Sequence, residues 1–254
     1  IEGQELFETE PNLNSEAVAA LYAPSSGILS PYEASIALAE NAKQNGVSIL
    51  LGTKAADVIA EEGEVKAVQT SKGMIYTRYL VNAAGLFADE VSSMAGIKEF
   101  KIVPRKGEYI IYDSDLNGLV NHVLFPVPSR ISKGITVTST IDGNIIAGPT
   151  ARDIEDKNDL TTTREGFEEV LNGAYRLIPE LSDRLTAIIS GFAGLRPEPS
   201  TDDFIIKAYT EPSGFINVAG MKSPGLTSAP AIAEMVVEIL REEGLALKDK
   251  KNFI

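Results

Sequence analysis

FINVAGMKSPGLTSAPAIAE, residues 215–234, reads as an apolar strand ending in Gly220, a tight Ser223-Pro224-Gly225 turn, and a helix opening at Thr227 or Ser228. The first N–H groups of a helix have no intrahelical acceptor and lie at the positive end of its dipole. A strand delivering the chain to such a terminus presents donors to an anionic or electron-rich ligand. YLVNAAG, residues 79–85, repeats the pattern of an apolar strand running into small residues and a glycine. Neither stretch contains G-x-G-x-x-G, and no such spacing occurs among the 21 glycines. Two walls of a nucleotide site are therefore present without the phosphate-binding floor.

Composition narrows the chemistry. With 254 residues, 44% of them hydrophobic, the chain can bury one large core or two smaller ones. A net charge of −13 weighs against nucleic acid and anionic membrane surfaces as partners. Cations for an anionic substrate must then be gathered locally. The lack of cysteine removes disulfides, thiolate nucleophiles and iron–sulfur ligation. A single histidine, His122, removes His-rich metal sites and weighs against a Ser-His-Asp triad. Any redox activity would therefore have to come from a bound cofactor. No run of 18 apolar residues occurs, so no transmembrane segment is expected. The opening IEGQELFETEP is acidic and lacks Met, and is expected to be an interior cut of a longer protein.

The rest of the chain falls into recognisable elements. Residues 1–13 suggest an irregular acidic lead-in. Pro31–Asn45 carries Pro at a helix start and Gly46 as a stop, and Val47–Leu51 follows as a short strand. Residues 54–81 suggest a three-stranded antiparallel meander with turns at 61–64 and 71–73, followed by a short helix over 86–95. From about Phe100 to Thr150 long β-runs indicate an antiparallel sheet in a second domain. A helix is expected over Arg164–Leu177, strands over Leu185–Gly191 and Phe204–Lys207, and a last amphipathic helix over Ala229–Glu243.

Five groups of residues are candidates for chemistry, each with a plainer structural account beside it. Asn82-Ala83-Ala84-Gly85 permits close backbone approach, by a ligand or by a neighbouring helix. Gly225–Ser228 offers helix-start amides, unless Thr227 or Ser228 simply caps the helix. Arg196, between Gly194-Leu195 and Pro197, has the rigid mount of a cation that orients a carboxylate or phosphate, or else pairs with one of the many acids. Arg105 and Lys106 form a second cationic cluster, in which Lys106 reads better as solvated surface charge. His122 reads better as a satisfied structural residue than as a base.

Taken together, residues 11–47, 79–91, 104–109, 143–151, 191–197 and 217–234 resemble the FAD-dependent oxidoreductases of the D-amino-acid-oxidase-like (DAO) superfamily. Within it the chain is most similar to glycerol-3-phosphate dehydrogenases of the anaerobic type and to L-2-hydroxyglutarate dehydrogenases. The resemblance implies a mixed α/β fold: an incomplete Rossmann-like FAD-binding domain, its first βαβ unit missing, plus an antiparallel-sheet substrate domain. Its expected boundaries are 1–97 (partial FAD domain), 98–190 (substrate domain) and 191–254 (return to the FAD domain and C-terminal helix). It places Val58, Ala83, Ala84, Gly85, Gly220, Ser223, Gly225, Leu226 and Thr227 near the cofactor. Arg196 matches the substrate-side arginine, with Arg105 a lesser candidate.

What the resemblance implies for function is hydride transfer to flavin from the secondary alcohol of a small anionic substrate, foremost sn-glycerol 3-phosphate, giving dihydroxyacetone phosphate. Electrons would leave to a quinone or an electron-transfer protein, in the cytoplasm or peripherally at the inner membrane through that partner. Without the G-x-G-x-x-G turn, this chain alone is expected to hold FAD weakly or not at all and to be inactive. Apolar surface where the missing unit docks is expected to favour dimerisation. Two alternatives accompany this reading: an L-2-hydroxyacid or amino-acid oxidase of the same superfamily, and a non-catalytic anion-binding module.

Overall fold

A computed structural model describes residues 1–128, 133–248 and 250–254. It divides into two units, one of residues 1–34, 105–153 and 158–195, the other of residues 35–104, 154–157 and 196–254.

The first unit is built on a sheet whose central strand, β5 (Ile102–Tyr112), enters from the other unit. β6 (Thr136–Ser139) pairs antiparallel with β7 (Ile145–Gly148), which pairs antiparallel with the end of β5. β8 (Arg152–Asp153) pairs with β5 at Arg105 and Lys106, and β9 (Ile188–Pro199) pairs with it too. Helix α4 (Arg164–Leu177) supplies the apolar layer over this sheet through Val170 and Ala174. These meet Ile110, Tyr112, Val137, Ile145 and Ala147 in one fully buried cluster. Thr163 caps the helix, accepting from the Gly166 amide at 3.0 Å. Buried Glu108 accepts from the Thr163 amide and hydroxyl at 2.6 and 2.9 Å, which puts a carboxylate at the positive helix end.

Inside this core the hydroxyl of Tyr112 is buried and makes no hydrogen bond among the described residues, and burial pushes its pKa up. An unpartnered buried hydroxyl costs about 1–3 kcal/mol. Tyr112→Phe is therefore expected to raise the thermal midpoint by about 2–6 °C, measured by differential scanning calorimetry. A lower midpoint would show that the hydroxyl has a partner in solution.

Three expectations need correction in this unit. The lead-in is not irregular: α1 (Gln4–Thr9) forms, and the following residues tie to the sheet unit rather than to the expected first domain. Buried Glu10 accepts from the amides of Asn121 and His122, Asn12 donates to the Leu119 carbonyl, and the Asn14 amide donates to the Leu177 carbonyl. Lys106 is not solvated: it is 5% exposed, with Nζ donating to Asp159 at 2.8 Å and to the Thr161 carbonyl at 3.1 Å. That hydrogen bond holds the Asp159 carboxyl below the usual carboxylate range. The expected strand Leu185–Gly191 is instead a 3-10 turn over Leu185–Ala187 and the start of β9, which runs on through Arg196 to Pro199.

The second unit begins within α2 (Pro31–Gln44), none of whose side chains is buried. β1 (Ala55–Glu61), β2 (Glu64–Thr70) and β3 (Gly73–Tyr76) form the expected antiparallel meander. A second sheet has the order β10 (Ile205–Tyr209), β11 (Phe215–Ala219), β4 (Leu80–Asn82). Here β10 and β11 are antiparallel, whereas β11 and β4 are parallel. Helix α3 (Ala88–Met94) follows β4, and α5 (Gly225–Glu242) follows β11. Val58, Val65, Ala95, Ile97, Tyr209 and Phe215 form one core cluster; Ala88, Phe100, Ile102 and Ala219 form another.

The expected strand at Val47–Leu51 does not form. The segment has no ladder partner among the described residues, and Ile49, Leu50 and Leu51 are exposed. Its apolar, β-branched composition signals a strand, but a strand exists only where a neighbour accepts its hydrogen bonds.

Candidate functional site

β4 and β11 run parallel with Leu80, Val81 and Asn82 opposite Phe215, Ile216 and Asn217. Both strands therefore end on the same side, and each ends in one of the two small-residue turns. The crevice outside the carboxyl ends of parallel strands is where open α/β sheets bind ligands. After β4, Ala83 and Ala84 are exposed, and Gly85 takes φ +57° with open space where a side chain would stand. After β11, Gly220 packs against Pro199, and α5 starts at Gly225.

The start of α5 lies earlier than the sequence suggests. Thr227 and Ser228 do not cap it but sit inside its first turns, and Pro224 is the flanking residue. The Gly225 amide is already used by the Lys222 carbonyl at 2.6 Å, and the Ser228 amide by the Pro224 carbonyl at 3.0 Å. Of the expected four, only the amides of Leu226 and Thr227 are left without an acceptor among the described residues. Both residues are exposed. Two donors at a helix start beside an open glycine suit the electron-rich edge of a flavin, where negative charge collects on reduction. The site fits that cofactor.

The turn is braced from β9. Lys222 Nζ forms an ion pair with Glu198, and Pro199 supplies the surface on which Gly220 lies. Arg196 is two residues before Glu198 on the same strand and so on the same face, and is half-buried. Arg105 lies in the other unit, in a bidentate pair with Asp153 (Nε to Oδ1 2.6 Å, Nη2 to Oδ2 3.0 Å), so its fork is committed to a protein carboxylate. The Val58 side chain points into the core with Val65 and Phe215. His122 bonds through Nδ1 to Glu10 at 3.1 Å and meets the Tyr22 ring edge-on, which accounts for it structurally. No group of three or more metal-ligating side chains occurs among the described residues.

The sequence reading missed the polar pair beneath the two turns. Asn82 and Asn217 are 2% and 0% exposed and bond to each other across the parallel pair. The signal was present: each is the one polar residue inside an apolar strand, LVN and FINVA.

Comparison with known proteins agrees with this architecture. The chain is 41% identical to a glycerol 3-phosphate dehydrogenase of Caloramator mitchellensis over 250 residues, 98% of this chain and 52% of that protein. L-alpha-glycerophosphate oxidase of Mycoplasma pneumoniae, solved with FAD bound, superposes with a TM-score of 0.89 at 32% identity, covering 100% of this chain and 66% of that one. L-proline dehydrogenase of P. horikoshii superposes with a TM-score of 0.87, also at 32% identity, covering 95% of this chain and 64% of that one. The chain thus spans between about half and two thirds of these relatives' lengths. The family described as FAD dependent oxidoreductase (DAO) matches residues 1–239, and the chain belongs to it.

Proposed function

We propose that the chain forms the flavin-facing and substrate-side part of an FAD-dependent dehydrogenase that oxidises sn-glycerol 3-phosphate. The observation that carries this is the pair of parallel strand ends, with the Leu226 and Thr227 amides open above them. The similarity to a glycerol 3-phosphate dehydrogenase over nearly the whole chain supports the substrate. FAD, when bound, supplies the two-electron acceptor. Ala83, Ala84 and Gly85 line one side of its place, and Gly220, Ser223, Gly225, Leu226 and Thr227 the other. Arg196 holds the substrate's anionic end: a guanidinium on a strand, stiffened by Pro197, presents its fork without a large loss of side-chain freedom. The electron acceptor is a quinone or a redox partner protein.

The similarity to L-proline dehydrogenase favours a second reading, an amino-acid oxidising enzyme with the same carboxylate-binding arginine. The two are separated by assaying the natural full-length protein with its FAD against sn-glycerol 3-phosphate, L-2-hydroxyglutarate, L-proline and glycine. Dye reduction and oxygen consumption are read in parallel. Turnover of glycerol phosphate with dye reduction outpacing oxygen uptake is expected. Turnover of L-proline alone would overturn the substrate assignment.

A further inference from the structure

The polar pair beneath the turns belongs to a longer chain of hydrogen bonds. Asn82 donates from Nδ2 to the Ala88 carbonyl at 2.8 Å and to Asn217 Oδ1 at 2.8 Å, and its Oδ1 accepts from the Ala84 amide at 3.3 Å. Asn217 donates to Ser92 Oγ at 3.0 Å and to the Tyr209 hydroxyl at 3.1 Å. The Tyr209 hydroxyl in turn donates to Glu99 at 3.1 Å, which also accepts from Lys207 Nζ at 2.7 Å. One buried carboxamide therefore touches the turn after β4, the first residue of α3 and the neighbouring strand at once.

Apolar side chains of similar size would cover the same space without the desolvation cost that buried amides carry. A polar pair in such a place is best attested as a device that fixes register between elements. Between parallel strands, a slip of one residue would invert every side chain, and here would shift one turn by a residue against the other.

We propose that Asn82 and Asn217 form a register lock that holds the Ala83–Gly85 turn level with the Gly220–Thr227 turn, making both positioning residues for the ligand between them. That the ligand is FAD rests on the proposed function above. The lock has a direction: Asn82 donates to the Ala88 carbonyl, which can only accept, whereas every partner of Asn217 is able to donate to it. Asn82→Asp therefore breaks the lock, and Asn217→Asp keeps it, because a carboxylate at 217 accepts from Asn82 and Ser92, and from Tyr209 once its single O–H turns away from Glu99.

Hydrogen-exchange mass spectrometry of the 254-residue chain reads this without cofactor. Exchange over residues 83–87, normalised to residues 205–219, is expected to quicken about tenfold in Asn82→Asp, matching loss of one hydrogen bond of about 1.4 kcal/mol. In Asn217→Asp it is expected to stay within about twofold. The double variant Asn82→Leu/Asn217→Leu covers the case in which a buried carboxylate unfolds the unit. It is expected to keep its thermal midpoint while showing the same quickened exchange. In the natural full-length protein, FAD titrated into Asn82→Asp is expected to bind about tenfold more weakly than into wild type. Equal exchange in the two Asp variants, or FAD affinity unchanged despite faster exchange, would overturn the lock. A wild-type protein that takes no FAD would overturn the flavin reading instead, and the exchange contrast still decides the lock.

Discussion

Replacing Arg196 with Met in the natural full-length protein is expected to lower kcat/KM for sn-glycerol 3-phosphate by about 100- to 1,000-fold, with flavin content unchanged. Truncating one partner of a close charge pair in a desolvated site costs about 2–5 kcal/mol, and each 1.4 kcal/mol is a factor of ten in rate. Arg196 is half-buried on β9, on the face it shares with Glu198, which is itself tied to the 220–225 turn through Lys222. Arg196→Lys keeps the charge but not the fork, and is expected to recover about tenfold of the loss. If Arg196 grips substrate and transition state alike, the loss falls on KM; if the grip tightens during reaction, it falls on kcat. A change below about threefold in kcat/KM would remove Arg196 from the substrate side.

A second large effect is expected at Gly214. This residue takes φ +80°, and a Cβ there would fall on the carbonyl oxygen of Arg78, well inside van der Waals contact. The clash has no easy relief, because the turn is tied on both sides. Leu80 donates to the Gly214 carbonyl at 2.8 Å, Val65 to the Ser213 carbonyl at 3.0 Å, and Ser213 to the Gly63 carbonyl at 2.8 Å. Left-handed backbone adds about 1–2 kcal/mol for a residue with a Cβ, and overpacking typically adds 1–3 kcal/mol. Gly214→Ala is thus expected to destabilise by about 4 kcal/mol and to lower the thermal midpoint by about 10 °C. Gly63→Ala is the control: it also has positive φ, +76°, but nothing within 4 Å of the added methyl. It is expected to cost about a third as much. Equal losses in the two variants would mean that the Arg78 carbonyl moves aside.

Both predictions rest on elements that were readable in different degrees. The meander, α4 and the strand–turn–helix at 215–242 announce themselves through local signals: alternation, turn glycines, a threonine cap and an amphipathic face. Where a signal needs a partner, sequence reading failed. Val47–Leu51 has strand composition but no neighbouring strand, and Lys106 looks like surface charge until Asp159 and Thr161 close over it. The lead-in looked formless because its order comes from Glu10 and Asn12 reaching residues more than 100 positions away. The helix start at Gly225 was missed because Thr227 and Ser228 are good caps in isolation, while the turn from Gly220 already delivers helical geometry two residues sooner.

The opening stretch, residues 215–234, was legible by itself as an apolar strand, a tight turn and a helix start, because glycines, small residues and helix-start amides act locally; the resemblance to the superfamily needed six segments of the chain together. Tertiary structure alone decided which amides stay open, that Arg105 is committed to Asp153 while Arg196 lies on the strand bracing the turn, and that Asn82 and Asn217 bond to each other across the two strands that lead into the turns. Those facts depend on which groups meet across long separations, and whether a donor is free for a ligand is settled only when every nearby acceptor has found its partner.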